Sequence, residues 1–255
     1  MMKRALLLAL LIGCGCARKG PPPHEAFLPV VVRTEHGRWA TRVELRNPGD
    51  QPALVRVHRW PPDDPAHETE EIALPPASHR TVPAWIPPFP SVSSYYFEST
   101  RPFEVGALVT HRAGQLPPLP VPVLPMSALA RPGDKLFVGP FLKSETERSH
   151  FCITFPWTER QSVPYRVELV IRDVQGTVLH HTVQALRGLP TLVEDPWRTY
   201  RLPPRRFELE VTLLGGLRGR EPAHGIWVYG IVQDRKTFGS WFLPTRVVRK
   251  VIERP

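Results

Sequence analysis

Proline constrains the fold of this chain more than any other residue. The sequence holds 32 prolines in 255 residues, and they are spread along its length instead of gathering in one tail. Proline interrupts helices and sheet interiors because it lacks a backbone N–H and its ring clashes with the preceding turn. We therefore predict an all-β chain of short strands joined by proline-bearing turns, without long helices.

Apolar and polar residues alternate with a period of two from residue 27 onward, which indicates half-buried strands. The pattern is clear at residues 39–46 and resumes at 54–60, after the turn signal Asn47-Pro-Gly-Asp50. Further strands are predicted at 70–74, 93–98 and 103–111. We predict that residues 27–114 form a first β-sandwich domain.

Residues 115–133 break this alternation with the run Gln115-Leu-Pro-Pro-Leu-Pro-Val-Pro-Val-Leu-Pro. Such a density of proline excludes a central strand and favours a semi-rigid linker that can lie against a domain. Strand patterns then return at 136–142, 149–155, 165–173, 177–184, 205–213 and 226–234. We predict a second β-sandwich domain over 134–248 and a C-terminal tail over 249–255. The run 246–254 is interpreted as a last edge strand, with a membrane-surface helix as the alternative.

The two halves of the chain resemble each other. Thr41-Arg-Val-Glu-Leu-Arg in the first half is similar to Tyr165-Arg-Val-Glu-Leu-Val in the second, and Leu74-Pro-Pro-Ala is similar to Leu202-Pro-Pro-Arg. The closing strands Glu104-Val-Gly-Ala-Leu-Val and Trp227-Val-Tyr-Gly-Ile-Val are also alike. We interpret these similarities as an internal duplication.

Two of these motifs resemble a known class of protein. Asn47-Pro-Gly-Asp between strands, and Val228-Tyr-Gly-Ile-Val-Gln-Asp-Arg-Lys-Thr before a final Phe-Leu-Pro, resemble uncharacterised exported bacterial proteins built from tandem immunoglobulin-like sandwiches. The resemblance implies two tandem immunoglobulin-like β-sandwich domains joined by the proline-rich linker. It implies no functional residue.

The N-terminus resembles that of a bacterial lipoprotein. Lys3 and Arg4 precede a short apolar run that ends in Leu11-Ile12-Gly13-Cys14, a sequence similar to the lipobox. The resemblance implies a signal peptide over 1–13 and a lipid on Cys14, and Gly15 in place of Asp favours the outer membrane. Residues 14–26, with three consecutive prolines, are predicted to be an extended tether. The alternatives are an ordinary cleaved signal or a chance apolar start on a cytosolic protein.

The net charge of +9 comes almost entirely from an excess of arginine. Because these arginines alternate with apolar residues, we predict solvated strand faces and no nucleic-acid partner. An anionic envelope polymer or lipid headgroup is the alternative partner of a basic surface. Three cysteines do not make a disulfide framework. Cys152 is predicted to be a small buried hydrophobe, and a Cys16–Cys152 bridge is the alternative.

The sequence contains no hydrolase, nucleotide-binding or metal-binding signature. The rings of His180 and His181 would point to opposite faces of a strand, so we predict no metal and no cofactor. A glycan-active enzyme would need converging carboxylates, for which Glu168, Glu208 and Glu210 are the candidates. Glutamates that alternate with apolar residues on strands are ordinarily solvated, so the chain is interpreted as non-enzymatic.

Aromatic residues in or beside the predicted loops are the candidate binding residues, because loop-borne aromatic rings can stack on sugars or anchor protein partners. They are Trp85, Phe89, Tyr95, Trp157 and Trp197. The alternative is that these rings plug the open ends of small sandwiches. Together the motifs predict a lipid-anchored envelope protein that binds or assembles an envelope protein or a surface glycan. A passive spacer is the remaining hypothesis.

Overall fold

The structure is a computed structural model that describes residues 24–33, 39–59, 69–82, 91–111, 116–156, 164–186, 191–216, 224–237 and 240–250. It confirms the all-β class. Half one contains β1 (His24–Arg33), β2 (Trp39–Arg46), β3 (Ala53–Arg59), β4 (Thr69–Leu74), β5 (His79–Val82), β6 (Ser91–Ser99), β7 (Glu104–His111) and β8 (Leu119–Pro120). Half two contains β9 (Lys135–Phe141), β10 (Glu147–Thr154), β11 (Tyr165–Asp173), β12 (Val178–Leu186), β13 (Thr191–Val193), the short helix α1 (Pro196–Thr199), β14 (Phe207–Gly216), β15 (Trp227–Asp234), β16 (Ser240–Leu243) and β17 (Thr245–Val248).

Half one is a single sheet that folds into two layers. Its order is β4-β3-β6-β1-β2-β7-β8, and β5 also pairs with β2. β1 and β2 are joined through the register pair Arg33–Ala40, which links the layer β4-β3-β6-β1 to the layer β5-β2-β7-β8. Val43, Val55 and Phe97 from the two layers share one core, while Arg42 and Arg56 point outward. The alternation seen in the sequence therefore corresponds to the inner and outer faces of these layers.

Half two repeats this order in two separate sheets, β13-β10-β15-β16 and β12-β11-β14-β9, with β17 added beside β9. Counted from the start of each half, both halves have the layers 4-3-6-1 and 5-2-7-8. The connectivity thus supports the internal duplication. It differs from the immunoglobulin order, in which the first strand lies beside the second and the last beside the sixth. Here the first strand lies beside the sixth, and the seventh lies beside the second.

The sequence similarities fall only partly on equivalent strands. The closing strands β7 and β15 are both seventh in their halves. Residues 41–46 lie on the second strand of half one, whereas the similar residues 165–170 lie on the third strand of half two. The Leu-Pro-Pro segments also differ, because Leu74 ends β4 before β5 and Leu202 follows β13 and α1. The predicted correspondence is wrong at these two places, because half-buried strands of similar composition have similar sequences wherever they lie in the fold.

The two halves pack directly on each other. Cys152, Tyr229 and Ile231 belong to β10 and β15 of half two, yet they lie in the apolar core of half one. The proline-rich segment between the halves packs along the same region, where Leu119 pairs with Val109 of β7. Farther along this segment, the backbones of Leu124 and Phe27 exchange two hydrogen bonds of 2.8 Å. The segment follows sheet edges, as its prolines require.

The boundaries of several elements differ from the sequence predictions. β1 begins at His24, so the last three residues of the predicted tether belong to a strand. The short strands β5, β13 and β16 were not predicted, because three or four residues are too few to display a period of two. β17 confirms an edge strand at the start of the run 246–254, over Thr245–Val248, and residues 251–254 lie outside the described residues. Arg249 then donates to the carbonyl oxygens of Ser127 and Leu129 at 2.7 Å, which fixes the start of the tail.

Candidate functional site

Two of the five predicted aromatic binding residues are described, and both lie in the cores. Tyr95 is fully buried in half one, in edge contact with Phe97. Trp197 of α1 is buried in half two, where its Nε1 donates to the carbonyl of Arg205 at 3.1 Å and its ring packs on Phe207. Neither ring is presented to a ligand in this conformation, and Trp197 has the plugging position given by the alternative. Trp85, Phe89, Trp157 and the lipidation candidate Cys14 lie outside the described residues.

The candidate carboxylates all lie on the outer face of the five-stranded sheet in half two. Glu210 of β14 accepts hydrogen bonds from Lys135 Nζ at 2.5 Å and from Arg172 Nε at 3.2 Å. Glu168 of β11 lies 2.9 Å from His181 Nε2. We call the surface formed by Lys135, Glu168, Arg172, His181, Glu208, Glu210 and Arg246 the charged face. Each strand supplies its charges at alternate positions, so they share one side of the sheet.

The electrostatics of the charged face keep Glu210 ionised. Burial on its own would raise the pKa of Glu210, but the hydrogen bonds from Lys135 and Arg172 lower it overall. Glu168 is partly exposed beside His181, and Glu208 is exposed. The acid of a glycoside hydrolase needs a raised pKa, in order to protonate the leaving group near neutral pH. Glu210 is therefore suited to forming ion pairs with basic side chains and not to donating a proton.

Apolar side chains lie among the charges of this face. Register pairs place His181, Val170, Glu210, Phe137 and Arg246 in one row across all five strands. The guanidinium carbon of Arg246 lies 4.5 Å from the centroid of the Phe137 ring, a cation–π contact. Such a mixture of fixed charges and flat apolar area can bind a partner through polar and stacking contacts together.

A second polar cluster lies where the two halves meet. Tyr96 donates to Glu25 Oε1 at 2.5 Å and also lies 3.4 Å from Glu98 Oε2. His58 Nε2 lies 3.2 Å from Glu98 Oε1 on the other side. The ring of His224, from half two, lies 5.5 Å from the ring of Tyr96. We call Glu25, His58, Tyr96, Glu98 and His224 the junction cluster.

In the junction cluster, Tyr96 keeps its proton and Glu98 keeps its negative charge. Burial, followed by the hydrogen bond to Glu25, raises the pKa of Tyr96 well above its usual range. His58, whose Nε2 lies 3.2 Å from Glu98 Oε1, lowers the pKa of Glu98 against the effect of burial, and Arg56 adds to the lowering. Tyr96 thus stays a donor and Glu98 an acceptor at neutral pH. The sequence could have revealed Tyr96, since alternation with Tyr95 and Phe97 places it on the outer face of β6.

Cys152 is confirmed as a small buried residue with a free thiol. Burial raises the pKa of this thiol to about 12, although the nearby Tyr229 acts to lower it, so the thiol is unreactive near neutral pH. Cys16, the alternative disulfide partner, lies outside the described residues. His180 and His181 contact different groups, the ring of Tyr200 and the carboxylate of Glu168, as expected from opposite faces of β12.

Within the described parts of the chain, no three histidine, cysteine, aspartate or glutamate residues are grouped so that they could hold a metal ion. Nor do those parts contain a helix with the length and apolar character needed to cross a membrane.

The sequence matches no protein-family model, and no curated protein and no solved structure shows significant similarity to the chain.

Proposed function

We propose that the chain is a lipid-anchored, non-enzymatic protein of the bacterial cell envelope that binds or assembles an envelope protein or a surface glycan. The observation that carries the binding role is the charged face. Its one buried candidate carboxylate, Glu210, is neutralised by Lys135 and Arg172. Fixed ion pairs of this kind favour recognition of a partner over proton transfer.

The anchor is supported by Leu11-Ile12-Gly13-Cys14 and by the position of β1. Acyl chains stabilise membrane attachment by about 0.8 kcal/mol for each buried methylene, so several chains on one cysteine hold firmly. Only residues 15–23 separate Cys14 from the first strand. A fully extended segment of this length reaches roughly 35 Å. The folded halves would then stay close to the membrane surface, with the outer membrane favoured by Gly15.

We further propose that each half is a variant of the immunoglobulin-like sandwich. The pairing of the second strand with the fifth, and of the third with the sixth, is common to both arrangements. The first and seventh strands exchange places in this chain. The exchange places β1, which directly follows the tether, beside β6 and the junction cluster.

A glycan-active enzyme and a passive spacer are the alternatives. An enzyme requires a carboxylic acid with a raised pKa in contact with substrate. The four described carboxylates with shifted pKa values, Glu98, Asp134, Glu210 and Asp234, are all shifted downward. A spacer requires no partner at all, which makes the two non-enzymatic hypotheses separable by capture of a partner.

The anchor is tested by Cys14→Ser in cells. We expect this variant to lose the mass of the lipid and to leave the membrane fraction. An unchanged intact mass and unchanged fractionation would rule out the lipid.

The binding role is tested by crosslinking intact envelopes and purifying the chain with its partners. Arg246→Glu reverses a charge on the charged face, and Arg46→Glu reverses a charge on the exposed outer face of half one as a matched control. We expect a specific partner to be lost from the Arg246→Glu sample only. If both variants recover the same molecules as the wild type, the charged face is not the binding surface. If no chain recovers a partner, the spacer hypothesis is favoured.

A further inference from the structure

β12 is an unusual edge strand. It has nine residues and pairs with β11 alone among the described strands, at one end of the five-stranded sheet. The other described edge strands are shorter, with two to six residues each. The backbone N–H and C=O groups on the free side of β12 are a long template for another strand.

β12 also lacks the charges and prolines that protect edge strands. Its sequence, Val-Leu-His-His-Thr-Val-Gln-Ala-Leu, contains no lysine, arginine, aspartate, glutamate or proline. Its one irregularity lies near its start, at Leu179, and the strand is regular from His180 onward. Val183 faces outward and is 48% exposed, whereas the edge strand β4 carries Glu70 and Glu71. Natural proteins place charges or prolines on edges that must stay unpaired, so the regular part of β12 has the character of an edge that is covered.

We propose that β12 pairs antiparallel with β12 of a second copy of this chain, about a two-fold axis at Thr182. The two five-stranded sheets would join into one ten-stranded sheet. An antiparallel pair related by a two-fold axis keeps the inner faces of both copies on the same side, so both cores are preserved. The proposal goes beyond the proposed function and does not depend on the lipid.

Charge favours a second copy as the occupant. In the Thr182 register, Thr182 faces Thr182, and His181 faces Val183 of the second copy, so no two formal charges lie opposite each other. The neutral sequence of β12 is therefore compatible with itself. Self-pairing of β4 would bring together the glutamates Glu70 and Glu71 of both copies, which destabilises a strand pair.

An unsatisfied polar atom supports the same register independently. The Gln184 amide nitrogen is buried and has no hydrogen-bond partner among the described residues. A buried donor without a partner is destabilising, because it has lost its hydrogen bonds to water. The Thr182 register places His180 of the second copy opposite Gln184, on the same inner side of the sheet. An unprotonated imidazole nitrogen can then accept a hydrogen bond from the Gln184 amide.

His180 is prepared for this contact. Its ring lies 4.6 Å from the ring of Tyr200, which restricts its orientation. Burial and the neighbouring His181 lower the pKa of His180, so its neutral form, which has an acceptor nitrogen, is favoured. Because the axis is two-fold, the His180–Gln184 contact forms twice.

The Thr182 register is the one that brings His180 and Gln184 together. The pairing of β12 with β11 is irregular at Leu179, so the regular part of β12 runs from His180 to Leu186. Within it, a two-fold axis at Thr182 pairs the residues from His180 to Gln184. A register centred on His181 or on Val183 leaves Gln184 opposite Val178 or Thr182 instead, so we expect the His180–Gln184 contact to select the Thr182 register.

The proposal is tested by disulfide trapping of the full chain in cells. In a Cys16→Ser background, Thr182→Cys places two thiols across the axis at a distance that a disulfide can bridge. Thr81→Cys is the matched control, a threonine replaced on the exposed edge strand β5. We expect oxidation to give a species of twice the chain mass with Thr182→Cys only. Crosslinking that is equal for both variants, or a Thr182→Cys product with a different protein, would overturn the proposal.

A second measurement does not require a new disulfide. The mass of the purified full chain in mild detergent is measured by light scattering, with Val183→Lys compared with Leu54→Lys. Both replace an exposed aliphatic residue, 48% and 51% exposed, so both variants should fold. We expect Val183→Lys to weaken the dimer about tenfold or more, which corresponds to about 1.4 kcal/mol, and Leu54→Lys to leave it unchanged. A wild-type chain that stays monomeric contradicts the proposal. Because Cys14→Ser should dimerise like the wild type, loss of the anchor and loss of the dimer can be distinguished.

Discussion

Half one and half two share a strand order but complete their cores differently. The core of half two is built from its own strands and α1, together with Ala130 of the connecting segment. The core of half one needs Cys152, Tyr229 and Ile231 from the other half. The two halves therefore share a strand order, but their cores do not depend on each other to the same extent. The core of half two is complete without half one, whereas the core of half one is complete only in contact with half two.

The ends of the two cores also differ. Half two closes one end with α1, where Trp197 packs on Phe207 and donates to the Arg205 carbonyl. Half one keeps Arg59 inside, where its guanidinium carbon lies 5.9 Å from the ring centroid of Tyr95 and it pairs with Glu70. A buried cation needs both its ion pair and its aromatic contact to offset the loss of hydration. Because half one relies on a buried ion pair, we expect its stability to be more sensitive to substitution than that of half two.

The test with the largest expected effect removes one core aromatic ring from each half. Phe207→Ala deletes a ring stacked on Phe141 at 4.8 Å in half two, and Phe97→Ala deletes a fully buried ring in half one. Each should cost about 3–5 kcal/mol of unfolding free energy, because transfer and cavity costs add. Since half one depends on half two, Phe207→Ala should destabilise both halves, whereas Phe97→Ala should unfold half one first.

Denaturant unfolding, followed by hydrogen exchange of amides in β3 and β11, separates these outcomes. We expect Phe207→Ala to reduce protection in both strands and Phe97→Ala to reduce it mainly in β3. Independent losses, each confined to the mutated half, would show that the contact through Tyr229 does not couple the halves.

A smaller test compares the turns that each half builds around one buried polar side chain. Asn47 Nδ2 donates to the carbonyl oxygens of Gln51 and Leu74, and its Oδ1 accepts from Gly49 N. In half two, Asp173 Oδ1 accepts from the amides of Gln175 and Thr177. Asn47→Ala should cost about 1–3 kcal/mol, because buried backbone groups lose their partners.

Asp173→Ala should cost less than Asn47→Ala, because the turn amides that it leaves can bind water at an exposed turn. Midpoints of urea unfolding at constant m-value measure both changes. Equal losses would mean that the hydrogen bond from Asn47 to the Leu74 carbonyl at the end of β4 adds nothing beyond local turn formation.

The sequence predicts the strands better than it predicts their partners. β11 was predicted with the bounds that the structure gives, because nine alternating residues end at a clear turn. The similarity of residues 41–46 to 165–170 led to the wrong correspondence, since it reflects a half-buried environment and not an equivalent place in the fold. Strand order comes from pairing between distant segments, which one sequence does not display.

The same limit applies to the candidate site. Glu210 could be named from its position on a strand, but Lys135 lies 75 positions earlier in the chain and is brought to it by the pairing of β14 with β9. The sequence predicts Tyr95 as a binding residue because it lies beside a predicted loop, although the alternation of inner and outer residues along β6 places it in the core. Its neighbour Tyr96, on the opposite side of β6, contacts Glu25 and His224 instead.

The smallest test concerns acid sensitivity and compares one ion-paired carboxylate in each half. Hydrogen bonds lower the pKa of Glu98 in half one and of Glu210 in half two, so both contribute stability that is fully present above the ordinary pKa of 4.5. That stability is lost as the pH falls through the lowered pKa of the folded state. Glu98→Gln and Glu210→Gln should each lower the unfolding free energy by about 1 kcal/mol near pH 7.

The two carboxylates differ in their burial and in their partners. The Glu210 side chain is 8% exposed and pairs with Lys135 and Arg172. The Glu98 side chain is 17% exposed, pairs with Arg56 and lies 3.2 Å from His58. Because Glu210 is more buried and has two cationic partners, we expect Glu210→Gln to lower stability more than Glu98→Gln at pH 6, and both effects to shrink towards pH 3 as the wild-type carboxylates become protonated. Thermal unfolding of both variants and the wild type at pH 3 and pH 6 measures these differences. Equal losses at pH 6 would show that the polar clusters of the two halves contribute alike.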